Sequence, residues 1–88
     1  MKTKESKMEI RTKFKPKDKI WVVIWSVGYH IEERIVYEII IMGKDNIYYT
    51  DEKFFSANGY ELERYDENSC FATKEEAQAE CDKRNKGE

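Results

Sequence analysis

The stretch Ile20-Trp21-Val22-Val23-Ile24-Trp25 decides the fold class of this 88-residue chain. Successive side chains of a β-strand point to opposite faces, so a strand that is apolar throughout needs cover on both sides. After Gly28 the pattern changes to alternation, which is typical of a half-buried strand from about His30 to Met42. Its apolar face carries Ile31, Ile35, Tyr37, Ile39 and Ile41, and its charged face carries Glu32, Arg34 and Glu38. The two segments are predicted to be antiparallel neighbours in a sheet.

Turn signals divide the middle of the chain. Gly43-Lys44-Asp45-Asn46 is a cluster of turn-forming residues, and the β-formers Ile47 to Thr50 follow it. This arrangement predicts a hairpin. Residues 60–65 are expected to form a further strand, with Tyr60 and Leu62 on one face.

The carboxyl-terminal part changes to a helical pattern. Thr73-Lys74-Glu75-Glu76 matches a capping box, and Ala77 and Cys81 lie on the packing side of a helix expected over residues 73–85. The chain is thus predicted to be mainly β (α+β): a small, strongly bent antiparallel sheet or barrel with one C-terminal helix. A chain of this length forms one domain, so residues 14–88 are assigned to it and residues 1–13 to a flexible basic arm.

The net charge of −2 conceals two regions of opposite sign. Residues 1–19 contain eight lysines and arginines against three carboxylates, whereas residues 51–82 contain ten carboxylates against three basic residues. An acidic surface repels nucleic acid, so contact with phosphates is expected only through the lysine-rich arm, if at all.

No apolar segment near Met1 matches a secretion signal or a membrane span. Cys70 and Cys81 are therefore expected to be free thiols in a reducing, cytoplasmic compartment, without membrane association.

Residues that carry chemistry are few. His30 is the only histidine, and no nucleophile accompanies it in the surrounding sequence. A zinc site needs about four clustered ligands, which Cys70, Cys81 and His30 do not supply. We therefore expect no catalytic residue, no metal and no cofactor.

The aromatic residues are the signal that favours a partner. Trp21 and Trp25 share one face of the first strand, while the aliphatic side chains of its other face fill the interior. The tryptophans then lie under the helix, against a second subunit or in a groove that binds a partner, because large apolar patches often mark interaction sites. The candidate partner-binding residues are Trp21, Trp25, Tyr37, Tyr48, Tyr49, Asp51, Glu52, Glu61, Glu63, Asp66 and Glu67.

Two motifs resemble a known group of proteins. They are Phe14-Lys15-Pro16-Lys17-Asp18-Lys19-Ile20-Trp21-Val22 and Cys70-Phe71-Ala72-Thr73-Lys74-Glu75-Glu76-Ala77. The chain resembles, over residues 14–85, small Src-homology-3-like barrels encoded by gut Firmicutes and their phages. Those barrels open with an aromatic-x-x-Gly-Asp-x-Val-Trp-Val pattern, where Lys17 replaces the glycine here, and close with a Thr-Lys-Glu-Glu-Ala helix. The resemblance implies a barrel fold and an origin in a mobile element.

The sequence favours a non-enzymatic protein-binding module that occupies a surface of a larger protein. Some small phage proteins inhibit host defence nucleases by protein contact, and by analogy the partner is expected to be a nucleic-acid enzyme such as a CRISPR effector. The carboxylates between Asp51 and Asp82 would then occupy a basic channel meant for phosphates. The alternatives are a small barrel that stacks nucleic-acid bases on its aromatics and a self-associating subunit, a homodimer through the tryptophan face.

Overall fold

The computed structural model describes residues 10–87, which form six β-strands and one α-helix. The elements are β1 (Lys19–Trp25), β2 (Tyr29–Ile35), β3 (Glu38–Ile41), β4 (Ile47–Thr50), β5 (Tyr65–Asp66), β6 (Cys70–Phe71) and α1 (Lys74–Asn85). The strands make two antiparallel three-stranded sheets, ordered β2-β1-β6 and β3-β4-β5. A single turn of 3₁₀ helix, Glu67–Ser69, joins β5 to β6. The predicted fold class is confirmed.

β1 is covered on both sides, as its sequence predicts. Ile20 and Val22 point into a core shared by the two sheets. Val23 points the other way and packs against Ala77 and Cys81 of α1. The helix is thus the second apolar layer that this strand requires. Burial of apolar surface against it stabilises the fold by about 25 cal/mol per Å².

The predicted long strand from His30 to Met42 is wrong, because the chain changes sheets in its middle. Val36 donates its N–H to the carbonyl of Asp18, on the side of the first sheet, at 2.9 Å. The next residue, Tyr37, donates to the carbonyl of Thr50 in the second sheet at 2.8 Å. This break reverses the predicted faces: Arg34 and Val36 are buried, whereas Ile35 and Tyr37 are exposed.

The hairpin after this break is confirmed, but the strand predicted at residues 60–65 is wrong. β3 and β4 pair antiparallel around the predicted turn, in which Gly43 has a φ of 115° that favours glycine. Residues 52–64 instead form a loop with one bridge, between Phe55 and Leu62. The side chain of Asn58 accepts a hydrogen bond from the Tyr60 N–H, a local bond that competes with strand pairing.

The carboxyl-terminal helix is confirmed. The Thr73 hydroxyl caps its first turn by accepting a hydrogen bond from the Glu76 N–H at 3.2 Å. Ala77 and Cys81 are buried on its packing side, as predicted. Cys70 and Cys81 are free thiols, which also agrees with the sequence. Within residues 10–87, no helix has both the length and the apolar character needed to cross a bilayer.

Contacts with the folded domain begin before the predicted end of the basic arm. Residues 1–9 of the arm lie outside the described residues. Lys13, however, is anchored to the domain, because its N–H donates to the Tyr49 hydroxyl and its ammonium group donates to the Cys70 carbonyl. The folded unit therefore begins before Phe14.

Within residues 10–87, two residues other than glycine have left-handed backbone conformations. They are Val27, in the turn between β1 and β2, with a φ of 59°, and Lys17, with a φ of 80°. Lys17 is the position at which the resembling barrels have glycine. Because Val27 is β-branched and fully exposed, its conformation costs free energy and no buried contact offsets it.

We expect Val27→Gly to raise the free energy of unfolding by about 1 kcal/mol, because the left-handed conformation is strained for valine and unstrained for glycine. Urea denaturation of the wild type and the variant measures this gain. Ser26→Gly is the matched control in the same turn, and it should give no gain. A loss of stability in Val27→Gly would contradict the expectation.

Candidate functional site

The two tryptophans do not form one surface. Trp21 is half-buried at the edge of the cluster under α1, with the Lys74 ammonium 5.8 Å from its ring centroid. Trp25 is 65 % exposed and packs edge-on against Tyr29, with 5.0 Å between ring centroids. The helix thus covers one predicted contact residue and leaves the other at the tip of the β1–β2 hairpin.

Tyr49 is not a surface residue, which corrects its assignment as a partner-binding residue. It is fully buried, and its hydroxyl accepts hydrogen bonds from the N–H groups of Lys13 and Phe14 while it donates to the Glu67 carboxylate. Burial, with the hydrogen bond to Glu67, raises its pKa well above the usual range, so the phenol stays neutral. Its neighbour Tyr48 is half-buried on the other face of β4.

Tyr49→Phe should lower the free energy of unfolding by about 1.5 kcal/mol, because the buried Phe14 N–H loses its acceptor and the Lys13 N–H keeps only Glu67. Chemical denaturation checks this value. Tyr48→Phe is the matched control on the same strand, and it should change stability by less than about 0.5 kcal/mol. Equal losses of stability in the two variants would show that the hydrogen bonds of the Tyr49 hydroxyl add no stability beyond that of an ordinary tyrosine hydroxyl on this strand.

The acidic candidates do not form one surface either. Asp51 is buried, Glu67 is bound to Tyr49, and Glu63 accepts a hydrogen bond from the Tyr65 hydroxyl at 3.1 Å. Burial of Asp51 corrects its assignment to an exposed partner surface. Glu63 and Glu67 are half-buried and bonded within the fold, and their part in binding a partner stays a prediction. The exposed candidates that remain are Glu52, Glu61 and Asp66.

The structure brings other candidates together in a groove where the two sheets part. The groove has a volume of about 820 Å³. Three of its apolar side chains are exposed: Ile35 by 45 %, Tyr37 by 53 % and Phe54 by 36 %. The remaining lining residues are Pro16, Lys17, Glu33, Arg34, Val36, Asp51, Glu52 and Lys53. Tyr37 and Glu52 therefore line the same concave site, and their role in binding a partner stays a prediction.

Arg34 forms the floor of the groove. It is only 6 % exposed, and its guanidinium carbon lies 3.6 Å from the ring centroid of Phe54, which stacks on it. The Nε–H donates to the Tyr65 hydroxyl, one terminal nitrogen to the Glu33 carbonyl and the other to the Glu32 carboxylate. All three guanidinium nitrogens are therefore bonded, as a buried charge requires.

Asp51 joins the two walls of the groove. One carboxylate oxygen accepts from the Ile35 N–H at 2.7 Å and the other accepts from the Lys53 N–H at 2.9 Å. The loop that carries Phe54 is thereby fastened to β2. Arg34 and Asp51 together hold the exposed apolar side chains in one arrangement.

The side chains beneath the groove keep their protonation states around neutral pH. Hydrogen bonds from Arg34 and His30 hold the pKa of the Glu32 carboxyl below its usual range. Burial opposes the charged form of Arg34, but hydrogen bonds to Tyr65 and Glu32 outweigh it and raise its pKa. Burial also raises the pKa of the Tyr65 phenol to about 12. Carboxylate, guanidinium and neutral phenol therefore form one persistent network.

Sequence reasoning missed the roles of Arg34, Val36 and Asp51. The alternation rule placed Arg34 with the solvated charges because it assumed one uninterrupted strand. One signal was present: Ile35 and Val36 are adjacent apolar residues, which breaks the alternation where the chain changes sheets. No comparable local signal marks Asp51.

The thiols offer no reactive site. Burial raises the pKa of the Cys70 thiol to about 12, and it raises the pKa of the Cys81 thiol as well. Thiols react as thiolates, so both are poor nucleophiles at neutral pH. Among residues 10–87, no three histidine, cysteine or carboxylate side chains are grouped as metal ligands.

Comparison with known protein families, curated proteins and solved structures finds no match for this chain. The resemblance to Src-homology-3-like barrels of phages and their hosts therefore stays a prediction of the sequence.

Proposed function

We propose that this chain is a non-enzymatic protein-binding module that holds an extended segment of a larger protein in the groove around Tyr37. The observation that carries the proposal is the exposure of Ile35, Tyr37 and Phe54 around a floor of bonded, buried charges. Apolar grooves that receive a segment of another chain are a recurring mode of protein recognition.

The rigidity of the groove supports binding. Phe54 is stacked on Arg34, and Asp51 fastens its loop to β2. Apolar side chains that are already ordered lose little conformational entropy when a partner covers them. Their exposure is then useful for binding, although it adds nothing to the core.

The charge of the rim favours a protein over a nucleic acid. The rim carries two lysines, Lys17 and Lys53, and two glutamates, Glu33 and Glu52. A phosphate backbone requires clustered positive charge, whereas a protein interface combines an apolar centre with a rim of mixed polarity.

The narrower form of this proposal is a mobile-element protein that inhibits a host defence nuclease, such as a CRISPR effector, by covering its surface. It is supported by the sequence resemblance and by the exposed carboxylates Glu52, Glu61 and Asp66. Its test needs the partner first: purified chain must then reduce both the nuclease activity and the nucleic-acid binding of that partner.

The groove is tested by affinity capture from host lysate with three immobilised proteins: wild type, Tyr37→Ser and Tyr60→Ser. Tyr60 is the matched control, because it is an exposed tyrosine outside the groove. A partner bound by the wild type and by Tyr60→Ser, but lost with Tyr37→Ser, supports the proposal. Capture of no specific protein, or equal capture by all three, contradicts it.

An oligonucleotide titration tests the alternative function. Single- and double-stranded oligonucleotides that bind at low salt, with an affinity that falls steeply as salt rises, would favour a nucleic-acid-binding barrel. We expect no such binding.

A further inference from the structure

The outer edge of β3 is open. β3 is the end strand of its sheet, and its segment Glu38-Ile39-Ile40-Ile41-Met42 is strongly β-forming. Ile41 is 46 % and Met42 is 58 % exposed. Edge strands are commonly protected by a lysine or a proline, and the segment from Ile39 to Ile41 contains neither.

The hydrogen-bond register shows which backbone groups face outward. Met42 donates its N–H to the Asn46 carbonyl at 2.8 Å, and bonding alternates along an antiparallel strand. Ile40 therefore faces β4, whereas Ile39 and Ile41 direct their N–H and C=O groups away from it. Among residues 10–87, no second strand and no side chain bonds to these outward groups of β3.

The edge of β2, the end strand of the other sheet, is protected by contrast. The side-chain amide of Asn85 accepts from the Tyr29 N–H at 2.9 Å and donates to the Tyr29 carbonyl at 3.0 Å. At the other end of β2, Asp51 accepts from Ile35 and Arg34 donates to the Glu33 carbonyl. Side chains thus occupy the places of a neighbouring strand on β2, while β3 has no such cover.

We propose that β3 pairs antiparallel with β3 of a second copy of this chain around a two-fold axis at Ile40. Ile39 of each copy then lies opposite Ile41 of the other, and the outward N–H and C=O groups of both strands are bonded. The β3-β4-β5 sheet of one copy and the same sheet of the other then form one continuous six-stranded sheet. A closed two-fold pairing of this kind leaves neither β3 edge open.

Charge identifies the second copy as the occupant. β3 begins at the acidic Glu38. Its other end is basic, because a guanidinium nitrogen of Arg64 lies 3.9 Å from the Met42 sulfur and Lys44 follows in the turn. These two positive charges exceed the single negative charge of Asp45. Antiparallel pairing sets Glu38 of one copy beside the basic end of the other. The same edge is thus complementary to itself in charge as well as in its isoleucines.

Sedimentation velocity over a concentration series tests the pairing with wild type, Ile41→Lys and Val27→Lys. We expect the wild type to double its mass as concentration rises and Ile41→Lys to stay monomeric, because a lysine on the edge opposes pairing. Val27→Lys, which adds the same charge at an exposed turn, should form dimers like the wild type. Circular dichroism establishes that each variant is folded.

Amide hydrogen exchange locates the interface independently of any variant. Exchange at Ile39 and Ile41 should slow as the concentration of the wild type rises, while exchange at Ile31 on β2 should not change. A wild type that is monomeric at every concentration overturns the proposal. So does a dimer that survives Ile41→Lys but is lost in Trp25→Ser, which would assign the interface to the β1–β2 hairpin. Neither result bears on the groove, whose test is the Tyr37→Ser capture.

Discussion

Arg34→Met should lower the free energy of unfolding by about 3 kcal/mol, the largest loss we expect from a single substitution outside the apolar core. The methionine fills part of the space but leaves the Tyr65 hydroxyl and the Glu33 carbonyl without their Arg34 donor. The Glu32 carboxylate keeps only its hydrogen bond with His30. The substitution also removes the cation from beneath the Phe54 ring. Urea denaturation at neutral pH measures the loss.

Arg34→Lys is the matched control for charge. Lysine keeps the positive charge but lacks the planar fork that bonds three partners, so we expect about half the loss of Arg34→Met. A lysine variant as stable as the wild type would show that charge alone matters. A methionine variant as stable as the wild type would show that the network contributes no net stability.

The same network gives a pH dependence with a defined sign. The pKa of Glu32 is lowered in the folded protein, so its contribution is present above the ordinary glutamate pKa and is lost as the pH falls through the lowered value. Arg34→Met removes the first cause of that lowering. The difference in stability between wild type and Arg34→Met should therefore shrink on acidification, and a constant difference would contradict this cause.

Asp51→Ala should lower the free energy of unfolding by about 2 to 3 kcal/mol, because the Ile35 N–H and the Lys53 N–H both lose their acceptor. Loss of the hydrogen bond from the Ile35 N–H should account for most of this decrease, since that bond holds the end of β2 beside the groove. Denaturation by urea measures the effect. The loop that carries Phe54 should also become mobile, with faster amide exchange at Lys53.

Glu52→Ala is the control for Asp51→Ala. Glu52 is the next residue and an exposed carboxylate of the same groove, and its removal should change stability by less than about 0.5 kcal/mol. A partner that binds the groove should be weakened by Asp51→Ala through the loss of order in Phe54. Equal stability in the two variants would show that Asp51 is not the fastening residue.

Much of the fold could be predicted because its signals are local. The apolar run of β1 requires two covered faces, the residues from Gly43 to Asn46 make a turn, and Thr73 caps a helix. Each signal depends on residues a few positions apart. The strand predicted at residues 60–65 failed because Asn58 takes the Tyr60 N–H, and the backbone bonds of Glu61 and Glu63 go to the near neighbours Ser56 and Phe54 around a single bridge.

The sequence by itself determined that this protein is a small, mainly β domain with one carboxyl-terminal helix, because hydrophobic period, turn formers and caps act between near neighbours. Only the tertiary structure decided that the chain changes sheets at Val36, that Arg34 is buried and that Asp51 fastens the groove. Each outcome depends on contacts between residues far apart in sequence: Val36 with Asp18, Arg34 with Phe54 and Tyr65, and Asp51 with Ile35. Local alternation carries no information about such a contact, so it assigned Arg34 to solvent and left the groove unforeseen.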